Sequence, residues 1–408
     1  MIKKDRADIE AERVLKIEMD HAKRQRPIDI ILIVFCCVFI LFLGIFIYIK
    51  PHESFSEDEN RALVTFPEFS SEALLNGSFT SDIGKFYSDQ FPFRGVFVGI
   101  KGFSELAILK EENNGVILGS DGYLVKRIEY SASEEENLSQ NLEYIKRFTQ
   151  KLETLGIDYK VAIAPRSVDV CISKLPENYS VEKSRAAWKV VDESGLEVIR
   201  FDSELDTKVR NNEYVWFKTD HHWTVRGAYL AYVKLMESYG QSPLTIDTLR
   251  FDELSQNFYG TTYSSSGMKW AIPDTLELMR YEGDEQFTVT NVETGAILNG
   301  FYDYSFADKK DKYSVFIGGV NSHVSVKKVT DTGEDRQKLL IIKDSFAHSV
   351  VPFLAAHYDL EIIDLRYYRS PIAQYIEENN FDSILVLYGI DTLATDSNVR
   401  WLTYGLDN

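Results

Sequence analysis

The sequence predicts an α/β domain, a parallel sheet with helices on both faces, preceded by one N-terminal transmembrane helix. Three observations carry that expectation. The last quarter of the 408-residue chain alternates short apolar strands with helices, a pattern that packs as a parallel sheet covered on both sides. A further buried-strand pattern, IDYKVAIA over Ile157–Ala164, ends at Pro165. Near the N-terminus, Ile30–Ile49 is an uncharged apolar run of about the length that spans a bilayer as a helix.

Residues 1–29 read as a cytosolic tail. Lys3, Lys4, Arg6, Arg13, Lys16, Lys23, Arg24 and Arg26 precede the apolar run 30–49, whereas Glu53, Glu57, Asp58 and Glu59 follow it. Basic residues concentrate on the cytoplasmic side of a span, which places the N-terminus inside and everything after Pro51 outside. Cleavage as a signal peptide is the alternative. The run is longer than a signal core and no small-x-small site follows Lys50, which favours a retained single-pass anchor.

Residues 50–79 form a polar connector, and the extracellular domain is expected over residues 80–408, with an insertion at about 251–335. Cys36 and Cys37 lie within the apolar run, leaving Cys171 alone beyond it. The exterior therefore has neither a disulfide pair nor a CxxC metal pattern. A surface protein without disulfides fits a bacterium with a single membrane, a Gram-positive one. The net charge of -18 argues against nucleic acid, whose recognition needs a basic footprint. The 23 Tyr, 25 Phe and 5 Trp are residues that fill cores as well as line sugar clefts.

The remaining elements follow in order. Ser184–Glu193 has helical spacing and a short strand is expected near Glu197–Phe201. Arg226–Tyr239 carries apolar residues at helical spacing and stops at Gly240. Tyr313–Ile317 reads as a strand within the polar insertion. After it come strand Lys338–Lys343, helix Phe346–His357, strand Leu360–Leu365, helix Ile372–Asn379, strand Ser383–Leu387 and a final helix near Asp391–Leu402.

Chemistry concentrates in Thr219-Asp220-His221-His222-Trp223-Thr224. In an extended segment, residues two apart share a face, so Asp220 and His222 are expected to work together while His221 points away. An Asp beside a His fixes its tautomer and stabilises its cation, as a general base requires. The missing nucleophile is offered by Lys343-Asp344-Ser345-Phe346, a strand-to-helix turn. A Ser there is exposed at the carboxyl edge of the sheet, where open α/β sheets bind ligands, and the helix start supplies donors for an oxyanion. Read alone, the turn is better explained by an N-cap at Asp344 or Ser345; with Asp220 and His222 it completes a Ser-His-Asp set.

Oxyanion donors are sought in Gly319 and Asn321, in a glycine-rich segment that also reads as a plain turn. Arg166 and Arg366 end strands and are candidates to hold substrate, with internal ion pairs as the alternative. His221 is assigned a structural hydrogen bond, Trp223 packing, and His323, His348 and His357 no role. A metal site from Asp220, His221 and His222 is rejected, because adjacent residues of a strand point apart. No metal is expected.

TDHHWT followed by RGAY, with the later KDSFA, VPFL and IDLRYY, resembles the DHHW family of bacterial surface proteins. That family is similar to the alginate O-acetyltransferase type of SGNH hydrolase-like domains. SDQFPFR (Ser88–Arg94) also resembles a segment of the group, and the resemblance covers roughly residues 80–390. It implies an SGNH hydrolase-like fold with the triad order inverted: Asp220 and His222 first, nucleophile Ser345 last. One departure is Lys343, where the family's nucleophile block has Gly.

The resemblance further implies O-acetylation of an exopolysaccharide. The acetyl donor would be delivered by a membrane-bound O-acyltransferase, with no cofactor held by this chain. Two other readings remain at this point: a glycan O-acetyl esterase using the same triad, and a non-catalytic scaffold of a polysaccharide or envelope complex.

Overall fold

The structure, a computed structural model, describes residues 6–56, 59, 61–329 and 336–406. Residues 1–5 of the expected tail and 330–335 of the expected insertion lie outside the described residues. The chain divides into two compact units, one within residues 1–98 and one from Gly99 onward. Residues 80–98, expected in the extracellular domain, belong to the N-terminal unit.

The N-terminal unit opens with one continuous helix, Arg6–Ile49. Its portion Gln25–Ile49 is long and apolar enough to cross a membrane. Two short helices follow, Ser71–Leu75 and Ser78–Asp89, the first capped by the Ser70 hydroxyl, which accepts from the Ala73 N–H.

The larger unit is organised by an eight-stranded sheet. In chain order its strands are β1 (Asp158–Ala164), β2 (Val198–Arg200), β3 (Phe287–Asn291), β4 (Ile297–Asn299), β5 (His323–Lys328), β6 (Lys338–Lys343), β7 (Asp359–Ile363) and β8 (Ser383–Gly389). Their spatial order is β4-β3-β5-β7-β6-β8-β1-β2. The five strands from β7 to β2 are parallel. β5, β3 and β4 add an antiparallel edge, so the expected insertion extends the sheet as well as forming loops. A hairpin turn suffices to reverse a strand, whereas each parallel pair needs a helical crossover.

Period two along β6 shows why both faces are covered. Leu339 and Ile341 join the apolar cluster that includes helix Val225–Ser238, while Leu340 and Ile342 join the cluster that includes helices Ala132–Leu155 and Ile372–Asn379. All four are fully buried, each contributing about 1.5–3 kcal/mol in transfer terms.

The final helix expected near Asp391–Leu402 is split into helix Ile390–Thr395 and a 3₁₀ stretch, Asn398–Thr403, and two other expected elements differ. The stretch Phe346–His357 is a 3₁₀ turn, Ser345–Ala347, followed by the short helix Val351–Ala355. Pro352 lacks an N–H and is tolerated only in a first helical turn, which breaks the continuity the apolar spacing predicts. Tyr313–Ile317 is not a strand but a 3₁₀ turn, Lys312–Val315, after which Ile317, Gly318 and Gly319 all take positive φ.

Candidate active site

The segment around the DHHW sequence is a tight bend rather than an extended strand. Trp216 bridges Trp223 antiparallel, and the Phe217 N–H donates to the His222 carbonyl at 3.3 Å. Buried Asp274 holds the bend from beneath, accepting from the Lys218 and Thr219 N–H groups at 2.9 and 2.7 Å and from the Thr219 hydroxyl at 2.6 Å. The bend changes why Asp220 and His222 meet. Asp220 Oδ1 accepts from the His222 backbone N–H at 3.0 Å and lies 2.6 Å from His222 Nδ1, a local ring rather than strand alternation.

His222 Nε2 lies 2.8 Å from Ser345 Oγ. Ser345 follows β6 at the carboxyl edge of the parallel strands and is half-buried. Asp220, His222 and Ser345, more than a hundred residues apart in part, thus form one hydrogen-bonded chain. The Tyr313 ring stacks on the His222 imidazole, with centroids 4.2 Å apart and planes 8° from parallel. Its hydroxyl shares Ser349 Oγ with Trp223 Nε1. Phe346 packs between the His222 and Trp223 rings at 4.9 and 5.0 Å. Some of the aromatic wealth therefore fixes this imidazole in place.

The second oxygen of Asp220 is held by a residue 41 positions away. Thr261 donates its N–H at 2.7 Å and its hydroxyl at 3.0 Å to Asp220 Oδ2. Gly260 makes this approach possible: a Cβ there would sit 2.2 Å from the Asp220 Cβ, a separation no side chain tolerates. Burial alone would raise the Asp220 carboxyl. Attraction to His221 and His222, with the bonds from His222 and Thr261, holds it well below the usual carboxylate range.

His221 does not point away. Its ring lies beside that of His222, centroids 3.8 Å apart, because the segment bends. Its Nδ1 meets the Thr261 hydroxyl at 2.5 Å, and burial followed by the neighbouring His222 pushes its pKa down. The donor atoms of Asp220, His221 and His222 all lie within 4.8 Å of one another, so the strand argument against a metal does not hold. Both His222 nitrogens, both Asp220 oxygens and His221 Nδ1 are engaged in hydrogen bonds within the site.

Asp344 is the turn's second fixture. It caps the turn by accepting from the Phe346 N–H at 3.0 Å, and its other oxygen accepts from the Gly389 N–H and the Thr392 hydroxyl at 2.7 and 2.6 Å. The N-cap reading thus describes Asp344, leaving Ser345 to face His222. Lys343 turns into the interior, with Nζ 2.8 Å from His348 Nε2 and 3.2 Å from Asp364 Oδ2. Burial pushes its pKa down.

Ser345 and His221 line a cleft of about 390 Å³ that also includes Lys126, Arg166, Thr261 and Asp391. Of the other expected site residues, only Arg166 reaches it. Its Nε donates to Asp391 at 2.5 Å, and its buried Nη1 has no hydrogen-bond partner among the described residues. Arg366 is engaged bidentately by Asp364, at 2.9 and 2.7 Å, and is not part of the cleft lining. Gly319 and Asn321 also lie outside it among the described residues. Gly319 is needed where φ is 78°, and Asn321 bonds Asn291 at 2.7 Å.

Residues 201–363 match the DHHW protein family. That match covers less than half of the chain. Residues 116–264 match the SGNH hydrolase-like domain of the acetyltransferase AlgX. A probable alginate O-acetylase AlgJ of Pseudomonas fluorescens is 27% identical over 206 residues, 47% of this chain and 51% of the relative. A probable alginate O-acetylase AlgJ of Pseudomonas syringae is 26% identical over 179 residues, 42% and 46% of the two chains. The chain thus spans about half the length of the curated relatives it matches.

Among solved structures, a DHHW family protein from Eubacterium siraeum superposes with a TM-score of 0.59 at 21% identity, over 72% of this chain and 96% of that one. Bacillus cereus PatB1 superposes with a TM-score of 0.56 at 20% identity, over 69% and 98%. These two likenesses establish the shared fold. The DHHW region contains Asp220, His222 and Ser345 together with β3 to β7.

Proposed function

We propose that this chain is a membrane-anchored extracellular O-acetyltransferase that moves an acetyl group through Ser345 onto hydroxyls of a cell-surface or secreted polysaccharide. The observation that carries this reading is the Ser345–His222–Asp220 hydrogen-bonded chain opening onto a cleft. The relatives named alginate O-acetylase support the acyl group and the substrate class. The apolar helix Gln25–Ile49 supports the anchor, and the basic residues preceding it support a cytoplasmic N-terminus.

In the first half-reaction His222 Nε2 takes the Ser345 proton as Oγ attacks the acetyl carbonyl of the donor. The donor's leaving group departs with the proton returned by His222, leaving an acetyl ester on Ser345. In the second, His222 deprotonates a sugar hydroxyl, whose oxygen attacks that ester, and the same proton restores Ser345. Asp220 holds His222 as the Nδ1–H tautomer and stabilises the imidazolium. A positioned base of this kind contributes about 10²–10⁴-fold. Arg166 is assigned to substrate, because it lines the cleft beside Ser345 and its Nη1 has no hydrogen-bond partner among the described residues, whereas buried polar groups are normally paired. A membrane-bound O-acyltransferase would supply the donor, so this chain needs no cofactor.

The test incubates the full chain with an activated acetyl ester and neutral oligosaccharides and follows products by mass spectrometry. Acetylated sugar that requires Ser345 is expected. Free acetate without acetylated sugar, at excess acceptor, would instead make the protein an esterase. Equal product from wild type and Ser345→Ala would leave a scaffold.

A further inference from the structure

The SDQFPFR segment takes no part in the cleft. Within the N-terminal unit it closes on the exit of the apolar helix. Buried Gln90 holds the Glu53 backbone at both groups: the Glu53 N–H donates to Oε1 at 3.2 Å, and Nε2 donates to the Glu53 carbonyl at 2.8 Å. Asp89 accepts from Arg61 at 3.0 and 2.6 Å and from the Val64 N–H at 2.9 Å. Phe93 stacks on Phe46 at 5.6 Å, and the His52 ring meets the edge of Phe86 at 4.9 Å.

Two positions inside the apolar run are covered as well. Leu43 and Ile47 belong to the membrane-length stretch Gln25–Ile49, yet each is only 8% exposed. Leu43 lies about 9 Å of helix before the end of that stretch, at about 1.5 Å per residue. The side chains covering these positions therefore share the depth of the apolar helix's last two turns.

From Phe93 the chain enters helix Arg94–Ala107, which is inverted relative to a water-facing helix. Val96, Phe97, Ile100 and Phe103 fall on its outer face, each between 41% and 64% exposed, while Gly102 is buried. A helix of a soluble surface places that stripe inward.

We propose that Phe93 and the exposed Val96 and Phe97, at the start of helix Arg94–Ala107 and within the N-terminal unit, lie in the outer leaflet of the phospholipid bilayer, clamped to the anchor by Asp89, Gln90 and Phe93. The inference rests on the membrane-anchored reading above. Interfacial helices sink their apolar face about 5–10 Å into the headgroup and acyl boundary. That depth matches the one at which the same segment contacts the anchor helix. A bilayer is favoured over a protein partner because the stripe continues, through Phe93 and Phe46, onto the helix the lipid already surrounds.

The test is spin-label power saturation on the full chain in phospholipid nanodiscs, one copy per disc. Cys36 and Cys37, exposed on the apolar helix, report the anchor in the unmodified protein. In a C36A/C37A background, Val96→Cys and Phe97→Cys report the interfacial face, and Gln140→Cys, exposed on helix Ala132–Leu155, reports water. Accessibility to oxygen above that to the nickel complex is expected at Val96 and Phe97, and the reverse at Gln140. Labels at Val96 and Phe97 that favour the nickel complex, or are shielded from both reagents by protein, would overturn the proposal while Cys36 and Cys37 still report lipid. Loss of the oxygen preference at Cys36 and Cys37 would instead remove the anchor reading and this inference with it.

Discussion

Asp220→Asn isolates one carboxylate charge in an otherwise conserved shape. Asp220 receives four hydrogen bonds, two on each oxygen: the His222 N–H and Nδ1 on Oδ1, the Thr261 N–H and hydroxyl on Oδ2. An amide offers one acceptor oxygen, so its NH₂ must face a backbone N–H whichever way it turns. With NH₂ towards His222, the imidazole is driven to the Nε2–H tautomer and donates to Ser345 instead of accepting from it. With NH₂ towards Thr261, the tautomer survives but the imidazolium loses its counter-charge. A wrong tautomer in an equivalent triad costs about 10⁴-fold in turnover, and one unsatisfied buried N–H about 1–3 kcal/mol of stability. Single-turnover acetylation of Ser345 by an activated ester, read by mass spectrometry, should therefore slow by about 10³–10⁴-fold. Asp220→Asn within tenfold of wild type, in a preparation where Ser345→Ala is inert, would refute the reasoning.

Three further outcomes follow from the geometry. Gly260→Ala places a Cβ 2.2 Å from that of Asp220 and must displace the carboxylate or the Thr261 loop by about 1 Å, a misplacement that costs on the order of 10²-fold in turnover; the rate measured on protein with a native circular dichroism spectrum checks it. Arg166→Met should raise KM for acceptor sugar with a smaller effect on Ser345 acetylation, separable by comparing transfer with single-turnover acylation. Asp364→Asn leaves Lys343 buried without its carboxylate partner and should cost about 3–5 kcal/mol at neutral pH by urea denaturation. Burial would raise the Asp364 carboxyl, but Arg366 and Lys343 hold it below its usual range. Its contribution is therefore full above about pH 4 and fades as pH falls through the depressed folded-state value. The gap between wild type and Asp364→Asn should narrow on acidification.

The parallel core was legible because its strands are local apolar runs: Lys338–Lys343 and Ile372–Asn379 match their expected limits, and Asp158–Ala164 begins one residue late. The residues of the candidate triad were legible by type, as was the possibility that Arg166 and Arg366 would find internal partners. What escaped is long-range or steric. Thr261 reaches Asp220 through Gly260, and Tyr313 stacks on His222, from segments whose composition resembles any polar loop. Pro352 carried a local signal, since it forbids the continuous helix that apolar spacing alone suggests. The bend at residues 217–222 had none, because the Trp216–Trp223 bridge is a backbone pairing that residue type does not signal. That bend brings His221 beside His222 instead of opposite it.

The central claim is that Ser345 carries the acetyl group between donor and sugar. Its most direct test is to acetylate the full chain with an isotopically labelled activated ester, remove the excess, locate the label by peptide mass spectrometry, and then add oligosaccharide. The account predicts label on Ser345 that is lost at the rate at which labelled O-acetyl sugar appears, with His222→Ala defective in both steps. Labelled sugar formed while Ser345 remains unmodified, or a Ser345 ester that persists unchanged in the presence of acceptor, would contradict it.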